Sequence, residues 1–144
     1  MSVPEHGRGA AAPVETVVLD ASAAVDLLAG TALAGVTAER IRGTVLHVPA
    51  HFSAEVLSAL GRLHRDGTLT DDEVGSAHDR LAAMPVTEHR VVDLLTGAWE
   101  CRGRLRLLDA LYVALADRLE AVVVTTDRRL ARAGEGCVEA ITVA

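Results

Sequence analysis

The chain has 144 residues, half of them hydrophobic, and a formal net charge of −6. That length fits one domain whose core needs no disulfide staples. No apolar run reaches the roughly 18 residues of a membrane span, and the acidic balance argues against a protein that coats nucleic acid generically. With a single Phe, Trp and Tyr, the core must be built from Ala, Val and Leu.

In chain order, residues 1–15 hold no apolar stretch and predict a disordered leader rather than a signal peptide, as expected of a cytoplasmic protein. Residues 16–144 form the folded domain. Val17-Val18-Leu19 reads as a buried strand. Ala21 to Ala29 predicts a helix stopped by Gly30, and Ala32 to Arg42 a second one stopped by Gly43. Val45 to Val48 is a short strand closed by Pro49. Ala50 to Arg65 has helical spacing and ends at Asp66-Gly67. Thr70, with Glu73 three residues on, marks a capping box opening a helix to about Met84. Pro85 to Thr87 begins a weak strand, Val91 to Cys101 a helix, and Leu107 to Leu119 a strongly apolar helix. Ala121 to Thr125 is a central strand, Asp127 to Ala133 a short helix, and Val138 to Val143 the last strand. This alternation predicts an α/β fold in three layers, helices on both sides of a parallel sheet. Cys101 and Cys137 fall in no metal-binding pattern and are expected as free thiols.

The acids carry the chemistry. Asp20 ends an apolar strand, and Asp127 follows the most apolar one, Ala-Val-Val-Val-Thr-Thr. Glu55 and Asp109 are the lone acids of apolar helical stretches. Carboxylates seldom enter such surroundings unless paired or bound to a cation. Parallel sheets bind ligands beyond the carboxyl ends of their strands, where Asp20 and Asp127 fall. If the helices bring Glu55 and Asp109 to the same edge, four negative charges meet, and a hard divalent cation relieves the repulsion. Oxygen donors favour Mg²⁺, with Mn²⁺ as a substitute. Each acid alone also fits a quieter role: Asp20 and Asp127 as helix N-caps, Glu55 on a solvated stripe, Asp109 paired with Arg104 or Arg106. Ser22 and Thr125 stand two residues from Asp20 and Asp127, where their hydroxyls orient those carboxylates, or simply cap a helix and fill a strand. Asp93 and Asp117 stand near the ends of apolar runs; Asp117 ranks behind the four because Arg118 and Glu120 mark its surroundings as surface. The six His show no ligand spacing and read as surface or structural. Residues 100–132 hold seven Arg against five acids, a local basic strip in an acidic chain. Arg102, Arg104, Arg106, Arg128 and Arg129 are therefore candidate contacts to RNA phosphates.

Four segments carry a resemblance. Val-Val-Leu-Asp-Ala-Ser-Ala (17–23), Val-Pro-Ala-His-Phe-Ser-Ala-Glu-Val (48–56), Leu-Leu-Asp-Ala-Leu-Tyr-Val-Ala-Leu-Ala (107–116) and Val-Thr-Thr-Asp-Arg-Arg-Leu (124–130) resemble, in order, the four motif blocks of PIN-domain proteins, and in detail those of VapC toxins from bacterial toxin–antitoxin pairs. The resemblance implies Asp20, Glu55, Asp109 and Asp127 as catalytic metal ligands, with Ser22 and Thr125 in support. It implies a Mg²⁺-dependent endoribonuclease cutting structured RNA, tRNA or rRNA, to leave a 3′-hydroxyl and a 5′-phosphate. It further implies a homodimer neutralised by a VapB-type antitoxin whose tail crosses the groove. Two other readings compete: a metal-binding interaction module, PIN-like or receiver-like, without nuclease chemistry, and a HAD-type phosphatase. The latter needs a second Asp two residues after Asp20, where this chain has Ser22.

Overall fold

The structure is a computed structural model that describes residues 12–134 and 136–142. Strands β1 (Thr16–Leu19), β2 (Val45–Pro49), β3 (Val86–His89), β4 (Val122–Thr125) and β5 (Val138–Ala140) form one sheet in the order β3-β2-β1-β4-β5. All four pairings are parallel. The helices are α1 (Ala21–Ala29), α2 (Ala34–Ile41), α3 (Phe52–Arg65), α4 (Asp71–Ala83), α5 (Leu95–Glu100), α6 (Leu107–Leu119) and α7 (Arg128–Ala133). Helices α1, α3 and α4 pack on one another, as do α5 and α6, and α6 lies against β1, β2 and β4. The arrangement is the three-layer α/β fold expected.

The central strand β1 is buried along Val17, Val18 and Leu19, which is why it reads as a continuous apolar run rather than an alternating one. Val48, Val123 and Val124 complete the sheet's core, and Phe52, Val56, Leu60, Tyr112 and Leu115 cover it from α3 and α6. The chain runs outward from β1 through β2 to β3, then returns to the other side of β1 as β4. Connections after β1 and β4 therefore diverge, and a crevice opens at their carboxyl ends.

Several boundaries shift for local reasons. Helix α2 starts at Ala34, not Ala32, because the Thr31 hydroxyl accepts from Leu33 N and its carbonyl from Ala34 N, closing a turn first. Helix α3 starts at Phe52 rather than Ala50, whose amide is bonded to the His89 carbonyl at the sheet edge. The segment from Val91 opens with a 3₁₀ turn, Val91–Leu94, before α5. Strand β5 ends at Ala140, and Val143 lies outside the described residues. Gly30 does stop α1, with φ 68 in the left-handed region. The capping box is present: Thr70 Oγ1 accepts from Glu73 N at 3.2 Å and Glu73 Oε1 from Thr70 N at 3.0 Å.

Of the expected leader, residues 1–11 lie outside the described residues. Glu15 does not fit a disordered segment. Its carbonyl accepts from Val45 N at 2.9 Å, and its carboxylate meets Arg40 at 2.8 and 2.9 Å. Arg40 also holds Glu139 at 2.6 Å, tying the entry to β1 to the edge strand β5. Cys101 and Cys137 are free thiols. Among the described residues no helix is long and apolar enough to cross a membrane.

Phe52 is fully buried at the start of α3, so Phe52→Ala is expected to cost about 3–5 kcal/mol. Thr70→Ala removes only one cap and is expected to cost about 1 kcal/mol. Urea denaturation of both variants, read against the parent chain, measures the contrast.

Candidate active site

The crevice beyond β1 and β4 is a cleft of about 580 Å³ whose lining includes Asp20, Glu55, Asp109 and Asp127. Four separate elements deliver them. Asp20 follows β1 and Asp127 follows β4, each at the N-cap position of the next helix. Glu55 and Asp109 sit in the first turns of α3 and α6, where a carboxylate also suits the positive end of the helix.

Asp20 is the most enclosed, with 5% of its surface exposed. It makes no capping bond to α1. Instead Oδ2 accepts from the Ser22 hydroxyl and, at 2.7 Å, from Thr125 Oγ1. The two hydroxyls stand 3.0 Å apart, and Thr126 N and Asp127 N donate to them at 3.2 and 2.9 Å. The loop after β4 is thereby tied to the loop after β1. Asp127 does cap α7, its Oδ1 accepting from Arg129 N at 2.8 Å and Leu130 N at 3.4 Å. Capping occupies one oxygen and leaves Oδ2 for the cleft, so the two expected roles of Asp127 are compatible. Asp109 pairs with neither Arg104 nor Arg106 within ion-pair distance among the described residues, although the Arg106 charge does act on it.

Glu55 is held by two residues absent from the sequence expectations. Tyr112 Oη donates to Glu55 Oε1 at 2.7 Å, and His51 Nε2 stands 3.0 Å from the same oxygen and 3.2 Å from the Leu108 carbonyl. Both neighbours of Nε2 are acceptors, so that nitrogen carries the hydrogen. The reading of every histidine as surface or structural is thus corrected at His51. The missed signal was its i,i+4 spacing to Glu55, one helical turn. Arg62 was also missed. It lies seven residues beyond Glu55 on the same face of α3 and lines the cleft with Ala59, Leu63 and Asp66. Tyr112 gave no such signal; within an apolar helix it reads as core. Of the five candidate arginines, Arg104, Arg106 and Arg129 line a neighbouring pocket that shares Asp109 and Asp127 with the cleft. Arg102 instead stacks over Trp99, 4.7 Å from the ring centre, and Arg128 faces Arg132, Val138 and Ala140 beyond α7. Asp117 and Asp93 are exposed away from the cleft.

The charges feel one another. Burial pushes the Asp20 carboxyl above its ordinary value, against the pull of the Ser22 and Thr125 hydrogen bonds, and Glu55 adds to the push. Asp109 is raised by burial and then by the charges of Asp20, Glu55 and Asp127. Glu55 differs: burial works against its ionisation, but the bonds from His51 and Tyr112 outweigh it and its pKa falls. The four line one cleft without closing on a point. Among the described residues no three His, Cys, Asp or Glu are drawn together tightly enough to enclose an ion. An oxygen-only set so spaced fits a hard cation that keeps several of its waters, and does not fit zinc.

A raised carboxyl pKa binds more protons in the folded than in the unfolded chain, between the ordinary value and the raised one, so stability falls as pH rises through that window. Metal-free Asp109→Asn is therefore expected to melt higher than the parent at pH 7–8, with the gain gone near pH 4. Thermal melts in chelator across pH check this; a variant less stable than the parent at pH 8 contradicts it.

A sequence profile of the PIN domain matches residues 17–136. Ribonuclease VapC3 of Mycobacterium tuberculosis H37Rv is 54% identical over 122 residues, 84% of this chain and 89% of the relative. The crystal structure of PAE2754 from Pyrobaculum aerophilum, 27% identical, superposes with a TM-score of 0.62 over 87% of this chain and 83% of that one. A toxin–antitoxin complex from Klebsiella pneumoniae, 18% identical, shares the fold with a TM-score of 0.66, covering 88% of this chain and 98% of that one. With the motif acids gathered at the carboxyl edge of a five-stranded parallel sheet, and with these matches over most of its length, the chain belongs to the PIN-domain family and to its VapC branch.

Proposed function

We propose that this chain is the toxin of a toxin–antitoxin pair, an endoribonuclease that needs Mg²⁺ and hydrolyses phosphodiester bonds in structured RNA such as tRNA or rRNA. The observation that carries the reading is the meeting of Asp20, Glu55, Asp109 and Asp127 in one cleft, two of them with raised pKa. The 54% identity to a ribonuclease supports the activity. Asp20, Asp109 and Asp127 would hold the ion directly or through water, and Glu55 would hold it or position the attacking water. When bound, Mg²⁺, or Mn²⁺ in its place, would supply neutralisation of the phosphate and a lowered pKa for water.

The chain's own residues prepare that chemistry. Ser22 and Thr125 fix one oxygen of Asp20, so its carboxylate cannot swing when charge develops. His51 and Tyr112 keep Glu55 ionised and aimed into the cleft. Attack of water on phosphorus breaks the bond to the 3′-oxygen and leaves a 3′-hydroxyl and a 5′-phosphate.

The same acids suit an arginine from a VapB-type antitoxin, whose insertion would cancel the charge that the cation otherwise cancels. An apolar hollow of about 390 Å³, lined by Val91, Leu95, Trp99, Leu107, Leu108 and Leu111, offers the kind of surface that a homodimer covers. Trp99 is 57% exposed there and Leu108 58%.

Purified protein with Mg²⁺ is expected to nick total RNA, and chelation to stop it. Asp20→Asn and Asp109→Asn are each expected to lose about two orders of magnitude or more in rate, the scale of several kcal/mol of transition-state charge stabilisation. Their folds should persist by circular dichroism, and growth inhibition on induction should vanish. Parent-like cleavage by either variant removes the proposed site; binding of metal without cleavage by the parent leaves an interaction module instead.

A further inference from the structure

The pocket beside the acid cleft has about 150 Å³ and is lined by Arg104, Arg106 and Arg129, with Leu105, Leu130 and Ala133 as its apolar floor. Asp109 and Asp127 form the wall it shares with the cleft. The three guanidiniums are not consumed by ion pairs. Arg104 donates to the Ala133 carbonyl at 3.4 Å and to Cys101 Sγ at 3.7 Å, contacts that position it without neutralising it. Arg129 stands 3.8 Å from Asp127, its only ion pair among the described residues, and 68% of its side chain is exposed. The Arg106 guanidinium makes no hydrogen bond or ion pair among the described residues and acts on Asp109 only through space. Three cations stand around so small a volume, with only Arg129 ion-paired, at 3.8 Å, so that the pocket still favours an incoming anion beside the Asp109 and Asp127 wall.

We propose that Arg104, Arg106 and Arg129 form the seat of one backbone phosphate of the RNA, the one next along the strand from the phosphate being cut. The inference rests on the nuclease reading of the neighbouring acids and adds the direction in which the strand leaves them. Guanidinium forks match phosphate oxygens in pairs and are weakly hydrated, which suits a half-open pocket with an apolar floor. A phosphate there brings the anionic partner that Arg104 and Arg106 lack among the described residues, and holds the strand so that its neighbour lies over the carboxylates. The contact is to the backbone and carries no base preference. Two other sequence candidates stand outside the seat: Arg102 is committed to the Trp99 ring and its carbonyl, and Arg128 faces the β5 side of α7.

The test is binding in chelator, where no cleavage intrudes, with unfractionated tRNA as probe and potassium chloride varied. One seat neutralises one phosphate, so Arg106→Gln with Arg129→Gln is expected to weaken binding about tenfold. It should also flatten the slope of log K against log salt by about one, not two. Arg42→Gln, an exposed change that removes one positive charge at the end of α2, should leave both unchanged. With Mg²⁺ present the double variant should raise KM while kcat stays within about twofold, and Arg106→Lys should recover the salt slope but only part of the affinity. Equal slopes for the double variant and Arg42→Gln overturn the seat. So does a loss confined to polyglutamate, which identifies an acidic-peptide pocket. Parent protein that binds tRNA but never cuts it defeats the nuclease reading while the salt slope still judges the seat.

Discussion

Burial, and then the charges of Asp20, Glu55 and Asp127, raise the Asp109 carboxyl above its ordinary value, and the site's organisation follows from that crowding. Like charges in a half-buried cleft are tolerated only if something offsets them. The chain offsets them in part. Two hydroxyls bond Asp20, two side chains bond Glu55, and the first amides of α7 bond Asp127. Among the described residues Asp109 has no such partner, and it is raised with Asp20 while Glu55 is lowered. The residual repulsion is the force that a divalent cation in the cleft would remove.

The sheet makes the crowding possible. Because β1 and β4 are adjacent and parallel, their carboxyl ends open at one edge, and the connections leaving them part in opposite directions. Asp20 and Asp127 arrive with the strands. Glu55 and Asp109 arrive with helices whose first turns meet over the same edge, where the His51 and Tyr112 rings pack 5.1 Å apart. The hydroxyls of Ser22 and Thr125 then lock the two strand-end loops together. Charge complementarity is laid out across the cleft as well, with Arg62 at one end and the Arg104, Arg106 and Arg129 pocket at the other.

Much of this was legible in the chain itself. A lone acid within an apolar run is costly to bury without a partner, so Asp20, Glu55, Asp109 and Asp127 stood out without coordinates. Helix stops at Gly30 and the capping box at Thr70 rest on backbone chemistry local to a few residues, and both were readable for that reason. Boundaries drifted where a non-local bond intervened, as with Ala50, whose amide belongs to His89. Tyr112 was invisible because a tyrosine in an apolar helix buries its ring in either case, and only its distant partner tells where the hydroxyl goes.

The sequence by itself determined the alternation of strands and helices, the apolar core and the identity of the four acids, because periodicity and charge in an apolar setting are properties of neighbours along the chain. Tertiary structure alone decided that those acids share a cleft, that His51 and Tyr112 hold Glu55, and which arginines face the site. Arg104, Arg106 and Arg129 turn toward Asp109 and Asp127 while Arg102 and Arg128 turn away, although all five lie in one basic strip. Side-chain direction depends on how each helix is rotated against the sheet, and packing between distant segments sets that rotation.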